Sequence, residues 1–266
     1  MHIRTWLLVI SFLGLFQQAV YGQFGFSNEV GIIAGPVAFY SDFGQRHDFE
    51  TNSGNIGFGV GIVHYLNFAY RGDFNIYTRY TYFNDHFKVR SELDYHVTKL
   101  EHYGEWVAPD KTSLFADQLR AMSGEVTVID IGSRLEYYPL SIRAFQAKGY
   151  KLMPYIGLGI HWVHYKPEVR SSLGDLNSPI TTPVKYFNAF QQQAGSTFSV
   201  VGSVGVRYKI GQFSDIMLDS RWQQYFTDWA DGLNPSLENN GERPVPENKS
   251  NDWIYWLNVG YIYYIN

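Results

Sequence analysis

Acidic and basic side chains alternate with apolar ones in the middle of several extended stretches of this chain. Such groups can pair with one another, line an ion pathway, or act as acid and base in catalysis. In the clearest series, Arg90, Glu92 and Asp94 occupy every second position. The main set comprises Lys88, Arg90, Glu92, Asp94, Asp130, Arg134, Glu136, Arg207, Asp219 and Arg221, and Glu29, Lys209 and Asp215 extend it. Their chemistry depends on the elements that position them.

A two-residue period identifies these elements. Apolar side chains alternate with polar or small ones, and a β-strand sends successive side chains to opposite faces. Val89, Leu93 and Tyr95, for example, lie in the register opposite to the charges of their stretch. The alternating stretches lie around residues 28–40, 56–66, 87–98, 129–137, 156–162, 200–210, 216–226 and 253–266. We therefore predict an all-β chain of eight strands.

Two architectures fit this alternation. A soluble barrel or sandwich places the apolar register in its core, whereas a transmembrane barrel turns it to lipid and its polar register to the lumen. Aromatic residues near the ends of the apolar registers favour the second, because such rings form girdles at membrane interfaces. They are Tyr137, Tyr138, Trp162, Tyr208, Trp222, Phe226, Tyr261 and Tyr263. The sequence thus predicts an eight-stranded antiparallel transmembrane β-barrel of the outer-membrane type.

The predicted connections support this architecture. Transmembrane barrels have long extracellular loops and short periplasmic turns. The long connections lie at about 41–55, 103–123, 165–198 and 227–251, and the shorter ones lie at about 139–152 and 211–214. The long 69–84 connection is an exception on the periplasmic side. We predict that it either docks a periplasmic partner or elongates the second and third strands.

The N-terminal residues resemble an export signal. His2 and Arg4 precede an apolar run over 6–16, and Val20 and Gly22 lie near a predicted cleavage point. We predict a signal peptide over 1–22 and an outer-membrane barrel domain over 23–266, and therefore export to the outer membrane of a Gram-negative envelope. The alternative is a buried N-terminal helix.

Composition narrows the possible functions. The chain has no Cys, which excludes disulfides, thiolate chemistry and Cys-based metal sites. Its formal net charge of −4 gives no reason to expect nucleic acid or anionic lipid as a partner. Charged residues make up only 17% of the chain and aromatic residues 18%, which suits a surface in contact with outer-membrane lipid.

The lumen of an eight-stranded barrel is narrow enough for side chains to fill it. The predicted inward charges nearly cancel, and they should therefore pair across strands. We predict a structural network of ion pairs that plugs the barrel. A selectivity filter lined by Arg90, Arg134, Arg207 and Arg221 is the alternative.

Catalytic and metal-binding motifs are weak. Ser133, Asp130 and His161 could share the lumen, but neither a G-x-S-x-G nor an H-E-x-x-H motif occurs. Residues 57–61 (GFGVG) fit small side chains that make space in the lumen better than a nucleotide-binding loop. We predict no enzymatic activity, no catalytic, cofactor-binding or metal-binding residues, and no cofactor, and we identify no small-molecule substrate.

The stretch DWADGLNP at 228–235 contains turn signals. Asp228, Asp231, Asn234 and Glu238 offer oxygen ligands for calcium, but they lack the regular spacing of a calcium loop. We predict instead that the Asp side chains accept hydrogen bonds from backbone amides.

Several segments resemble known barrels. The C-terminal and middle segments resemble the PorG-like outer-membrane β-barrel family, and three further segments resemble a less characterised group of flavobacterial-type barrels with the same tail. The first set is YFTDWADGLNP (225–235), SNDWIYWLNVGYIYYIN (250–266), LEYYPLSIRAF (135–145) and KLMPYIGLGI (151–160), and the second is GPVAFYSDFGQRHDFETN (35–52), YFNDHFKVRSE (82–92) and DQLRAM (117–122).

This resemblance implies a role. PorG-like proteins are outer-membrane components of the type IX secretion machinery that contact its periplasmic ring without forming the translocation channel. The chain would then be a structural or interaction component with periplasmic or outer-membrane secretion proteins as partners. A small ligand-binding or transport barrel is the alternative function.

Overall fold

The computed structural model describes residues 27–44, 48–52, 54–69, 81–235 and 251–265. The predicted signal peptide over 1–22 lies outside the described residues, as does most of the 69–84 connection.

The described residues form a closed barrel of eight strands, each antiparallel to its two neighbours. The first strand pairs with the last, as in Val30 opposite Tyr263, so the sheet has no open edge along the paired region. The strands are β1 (Ser27–Tyr40), β2 (Ile56–Asn67), β3 (Phe87–Glu101), β4 (Met122–Tyr137), β5 (Leu152–Ser171), β6 (Gly195–Lys209), β7 (Ser214–Tyr225) and β8 (Trp253–Ile265). The predicted fold class is confirmed.

Short helices lie in the connections. They are α1 (Phe49–Asn52), α2 (Tyr82–His86), α3 (Leu114–Ala121) and α4 (Ile142–Gln146), with 3-10 turns at Glu105–Val107 and Val184–Tyr186. Ser113 caps α3 because its hydroxyl accepts a hydrogen bond from the Ala116 amide. Among the described helices, none has the length and apolar character needed to cross a membrane.

The two ends of the barrel differ. One end, termed the turn end, carries the connections 68–86, 138–151 and 210–213, and the other, termed the loop end, carries 41–55, 102–121, 172–194 and 226–252. The described part of the first connection does not elongate β2 or β3, because α2 occupies it up to His86. The prediction that the 69–84 connection elongates the second and third strands is therefore wrong for the described residues at the two ends of this connection.

Strand β5 is longer than predicted. It contains 20 residues and ends at Ser171, so the connection predicted from residue 165 begins only after the strand. Beyond Trp162 the pattern changes, with Val163 and Val169 buried inside the barrel and Arg170 exposed outside. The prediction of this strand relied on apolar residues in the outward register, and it therefore ended where that register becomes polar.

The two registers of each strand face opposite sides of the wall. On β3, Leu93 is 48% exposed, whereas Arg90 and Asp94 on the alternate positions are buried inside the barrel. The apolar tail behaves likewise, because Leu257, Val259 and Tyr261 face outwards. The barrel is therefore apolar on the outside and charged on the inside along its central part.

Candidate functional site

All ten main charged residues lie inside the barrel and are buried. They come from β3, β4, β6 and β7. They are Lys88, Arg90, Glu92, Asp94, Asp130, Arg134, Glu136, Arg207, Asp219 and Arg221, and Glu29, Lys209 and Asp215 are buried with them. We call these thirteen side chains the lumen network. They form three layers, described below from the turn end towards the loop end.

Glycines opposite large side chains make room for the network. A Cβ atom on Gly132 would lie 2.2 Å from the His161 ring, and one on Gly61 would lie 2.0 Å from Asp94 Oδ1. Further pairs of this kind are Gly59 with Trp256, Gly159 with Arg134, and Gly205 with Tyr155. The expectation that Gly57, Gly59 and Gly61 make lumen space agrees with this arrangement for Gly59 and Gly61.

The layer nearest the turn end is built on two carboxylates. Glu29 lies 2.6 Å from Lys88 Nζ and 2.7 Å from Arg207 Nη2. Asp215 lies 2.9 Å from Arg207 Nη2 and 3.3 Å from Lys209 Nζ, and it accepts a hydrogen bond from the Tyr264 hydroxyl. Arg207 therefore links both carboxylates across the lumen.

The middle layer contains two arginines. Arg90 lies 2.7 Å from Glu92 and 3.2 Å from Asp219, and Arg134 lies 2.7 Å from Asp219 and 3.3 Å from Glu92. Glu136 lies 3.5 Å from Arg90 and accepts a hydrogen bond from the Tyr138 hydroxyl at 2.5 Å. Tyr138 was predicted to join the outer aromatic girdle, but it is buried inside, because it lies in the same alternating register as Arg134 and Glu136, which faces the lumen.

The third layer centres on Arg221. Its guanidinium lies 2.7 Å from Asp94 and 3.2 Å from Asp130. His161 lies between two carboxylates, with Nδ1 2.6 Å from Asp130 Oδ1 and Nε2 3.0 Å from Glu92 Oε1. Arg221 Nη2 also lies 3.1 Å from His161 Nδ1, so the imidazole and the guanidinium share Asp130. Sequence reasoning considered His161 only for catalysis and did not place it in the network.

Above these layers the lumen is mainly apolar towards the loop end, although His96 and Gln223 are buried among the apolar side chains. Val37, Phe39, Val128, Val163 and Ile254 are fully buried there. The sequence signal for this segment lies on β4, where the inward register changes from Glu136, Arg134 and Asp130 to Val128 and Val126. The charged layers and this segment together bury the inward-facing side chains named above within the described lumen.

This arrangement supports structural pairing rather than catalysis. Ser133 lies on the outer surface and bonds to Ser91 Oγ at 2.9 Å, so it does not meet His161. Glu92, Asp94 and His161 have ligand atoms within 4.8 Å of one another, a geometry that would suit a metal ion. Arg221, however, already lies 3.6 Å from Glu92 and 2.7 Å from Asp94, and so supplies positive charge there.

Carboxylates also hold the loop end together. Asp231 accepts hydrogen bonds from the backbone amides of Asp42 and Leu233, both at 2.8 Å. Asp252 accepts from the amide of Ala230 at 3.0 Å. The prediction that Asp side chains of the 228–235 loop bind backbone amides is confirmed for Asp231, which thereby joins two different loops.

The fold and the lumen define a closed eight-stranded barrel with an apolar exterior and a charged interior. No family model matches the chain, and no curated protein matches it. Similar solved structures include Neisserial surface protein A (15% identity, 89% of this chain and 96% of that chain, TM-score 0.43). A second is OprG from Pseudomonas aeruginosa, with 12% identity over 90% of this chain and 97% of that chain and a TM-score of 0.42. A third is a major outer membrane protein from Thermus thermophilus, with 12% identity over 90% of this chain and 99% of that chain and a TM-score of 0.45. Because these TM-scores lie below 0.5, the fold assignment rests on the strand pairing and not on these similarities.

Proposed function

We propose that this chain is a transmembrane β-barrel of the outer membrane with a closed lumen and a structural or interaction role. The exterior supports the membrane location, because Ile32, Ile62, Leu93, Ile131 and Leu218 form an exposed apolar surface around the barrel. In water, so large an apolar surface would be an aggregation hazard. In a bilayer, it is the surface that contacts lipid.

Aromatic side chains border this apolar surface at both ends. Towards the loop end, Tyr40 stacks on Trp253 with ring centroids 3.9 Å apart, and Phe87 packs on Tyr137 at 5.2 Å towards the turn end. Rings at these positions support a placement at the two membrane interfaces. The loop end would then be extracellular and the turn end periplasmic.

The single observation that carries the functional proposal is the filled lumen. An ion path needs polar groups that solvent can reach, whereas the arginines of the lumen network are fully buried and paired with carboxylates. We infer that the barrel does not conduct ions, has no enzymatic activity, and works through the surfaces at its two ends.

Planar-bilayer recordings of the purified, refolded chain test this proposal. We expect no stepwise conductance above the lipid background, whereas a large open porin in the same bilayers gives clear steps. A variant with Arg90→Ala, Arg134→Ala and Arg221→Ala removes three large side chains from the lumen and should increase the conductance if it folds. Reproducible, ion-selective steps from the unmodified chain would contradict a closed lumen.

At a finer level, we propose that the interaction partners are components of type IX secretion. This part rests on the resemblance of residues 225–235 and 250–266 to the PorG-like family. Photo-crosslinking from Phe83 at the turn end, followed by mass spectrometry, should recover periplasmic secretion proteins. The matched control places the crosslinker at Lys111 at the loop end. Equal recovery from both positions, or no recovery from Phe83, would contradict this proposal.

A further inference from the structure

The loop end contains a cavity that the lumen network does not use. It has a volume of about 250 Å³ and lies where the connections 41–55, 102–121 and 172–194 meet. Its lining is largely aromatic. The lining rings are Phe43, His102, Tyr103, Trp106, Phe115 and Tyr186.

The floor of this aromatic cavity is formed by three rings in contact, tilted by 31° and 34° to one another. The His102 ring lies between Phe43, with centroids 5.0 Å apart, and Tyr186, with centroids 5.6 Å apart. The Tyr186 hydroxyl donates a hydrogen bond to the carbonyl of Asp42 at 2.8 Å, which fixes one loop against another. The floor is therefore formed before any ligand arrives.

The walls are also fixed by side chains that bind backbone. Arg120 donates to the carbonyls of Val107 at 3.1 Å and Ala108 at 2.7 Å, which holds the segment carrying Trp106 against α3. Gln118 donates to the carbonyls of Pro179 and Ile180, both at 2.9 Å, and so joins α3 to the next loop. A preformed cavity loses little entropy when it binds a ligand.

Two rings at the cavity edge remain accessible. Trp106 is 50% exposed and Phe115 is 40% exposed. Aromatic faces offer additional attraction to a second ring, about 0.5–1.5 kcal/mol beyond the area they bury. Because pockets for drug-sized ligands have volumes of roughly 300–1,000 Å³, the smaller volume of this cavity suits a single ring rather than a larger ligand.

The charges at the cavity favour an anionic substituent. Lys185 is the one cation among the described lining residues, and its ammonium lies 5.1 Å from the centre of the Tyr186 ring. Burial and the nearby Lys185 lower the pKa of His102 to about 3, so this imidazole is neutral and contributes an aromatic face. Asp42 also lines the cavity, but it is only 4% exposed, whereas Lys185 is partly exposed and is therefore more accessible to a ligand.

We propose that the aromatic cavity binds a single aromatic ring that carries a carboxylate. The ring packs against Trp106 and Phe115, and the carboxylate faces Lys185. The proposal does not depend on whether the lumen conducts ions, because the cavity lies in the loops above the apolar layer.

NMR titration of the full chain in detergent micelles, following the Trp106 indole resonance, tests this proposal with three probes. Benzoate has both the ring and the charge, benzamide has the ring alone, and cyclohexanecarboxylate has the charge without the π-system. We expect benzoate to bind with a Kd on the order of 1 mM, as suits so small a ligand, and each of the other probes to bind about tenfold more weakly.

Variants identify the cavity as the binding site. Lys185→Gln should weaken benzoate binding about tenfold and remove the preference over benzamide, and Phe115→Ala should weaken all ring probes. Leu173→Ala, an exposed loop residue outside the cavity lining, is the matched control and should bind like the unmodified chain. Benzamide bound as tightly as benzoate, or Lys185→Gln without effect, would overturn the proposal, as would an unshifted Trp106 resonance.

Discussion

Arg134 has two carboxylate partners in the lumen, and removal of its charge leaves both to share the single guanidinium of Arg90 as their nearest arginine. It lies 2.7 Å from Asp219 and 3.3 Å from Glu92, and all three side chains are fully buried. Breaking a buried ion pair by removing one partner costs about 3–5 kcal/mol. We expect Arg134→Gln to lower the free energy of unfolding by this amount in urea titrations of the barrel in lipid vesicles.

The matched control is Arg170→Gln on the outer surface of the same wall. Arg170 pairs with Glu168, but its side chain is 73% exposed, and exposed pairs contribute about 0–1 kcal/mol. Equal losses for the two variants would show that the lumen network does not stabilise the barrel through its charges.

Gly132 tests the space that the network requires. A Cβ atom there would lie 2.2 Å from His161 Cδ2 and 2.4 Å from the Ile160 carbonyl oxygen, so Gly132→Ala must displace the ring or the strand. We expect a loss of about 1–3 kcal/mol in the free energy of unfolding, as for other overpacked interiors. Gly202→Ala is the control, since its Cβ would meet no heavy atom within 4 Å. Two variants of equal stability would contradict this steric account.

At the residue scale, the sequence predicted which face each charge occupies, but not its partners. Period-2 alternation places Arg90, Glu92 and Asp94 on one face, because a strand permits only two. The partners of Arg221 depend on how β3, β4 and β7 meet across the lumen, which no local pattern contains. Ser133 was considered for a lumen shared with Asp130 and His161, and this was wrong, because it lies an odd number of residues from Asp130 and so faces the opposite side of the strand.

The outward register of β3 has its own test at the scale of the strand. Leu93 lies in the apolar exterior, and an arginine near the midplane of a bilayer costs about 2–4 kcal/mol. We therefore expect Leu93→Arg to make insertion less favourable by this amount. The free energy is measured by folding into vesicles at several urea concentrations. A fully inserted Leu93→Arg variant of normal stability would show that this face does not contact lipid.

Thr127→Arg on β4 is the corresponding control. Thr127 faces outwards beside Lys166, in the part of the wall where the exterior is polar. Near the membrane interface an added arginine costs only about 0–1 kcal/mol. The difference between the two variants thus marks the boundary of the apolar exterior.

Asp231 links two loops, and its protonation should modulate that link. Burial raises the pKa of Asp231 to about 7 from an ordinary value of 3.8, and nearby Asp228 adds to the shift. The folded loop end then binds more protons than the opened one between these values, so its stability falls as pH rises from about 4 to about 7. Amide hydrogen exchange of Leu233, corrected for intrinsic rates, should show increasing opening over this range.

Asp231→Asn keeps an acceptor oxygen and removes the titration, so its loop end should open equally at all these pH values. Asp175→Asn, an exposed carboxylate of another loop, is the control and should retain the original pH dependence. A pH dependence that survives in Asp231→Asn would assign it to another group.

At the scale of elements, the sequence located every strand but made several too short: β4 begins at Met122 instead of near 129, and β6 begins at Gly195 instead of near 200. The largest difference is in β5, which continues nine residues beyond its predicted end at Trp162, to Ser171. Its distal part buries Val163 and Val169 and exposes Lys166, the reverse of a lipid-facing strand. A prediction that assumes one environment along the whole strand therefore ends where the environment changes. The helices in the connections were not predicted, because eight residues or fewer give little periodic signal.

At the scale of the whole molecule, the proposed orientation predicts which end faces the outside of the cell. The chain has no Cys, so a single introduced cysteine gives an unambiguous label. In intact cells, Lys111→Cys at the loop end should react with a membrane-impermeant maleimide, and Ala147→Cys at the turn end should react only after the membrane is permeabilised. Labelling of Ala147→Cys alone in intact cells would invert the orientation.

Each glycine that faces a large lumen side chain forms a two-residue unit with it, as Gly59 does with Trp256 and Gly159 with Arg134. Neither member can change alone, because a larger residue at the glycine clashes and a smaller partner leaves a void. Amino-acid substitutions that preserve the fold should therefore occur as compensating pairs on different strands. The exterior has no such constraint, since one apolar residue there can replace another. Over many generations, the inside of this barrel should change slowly and in coordinated steps, while its outside changes quickly and one residue at a time.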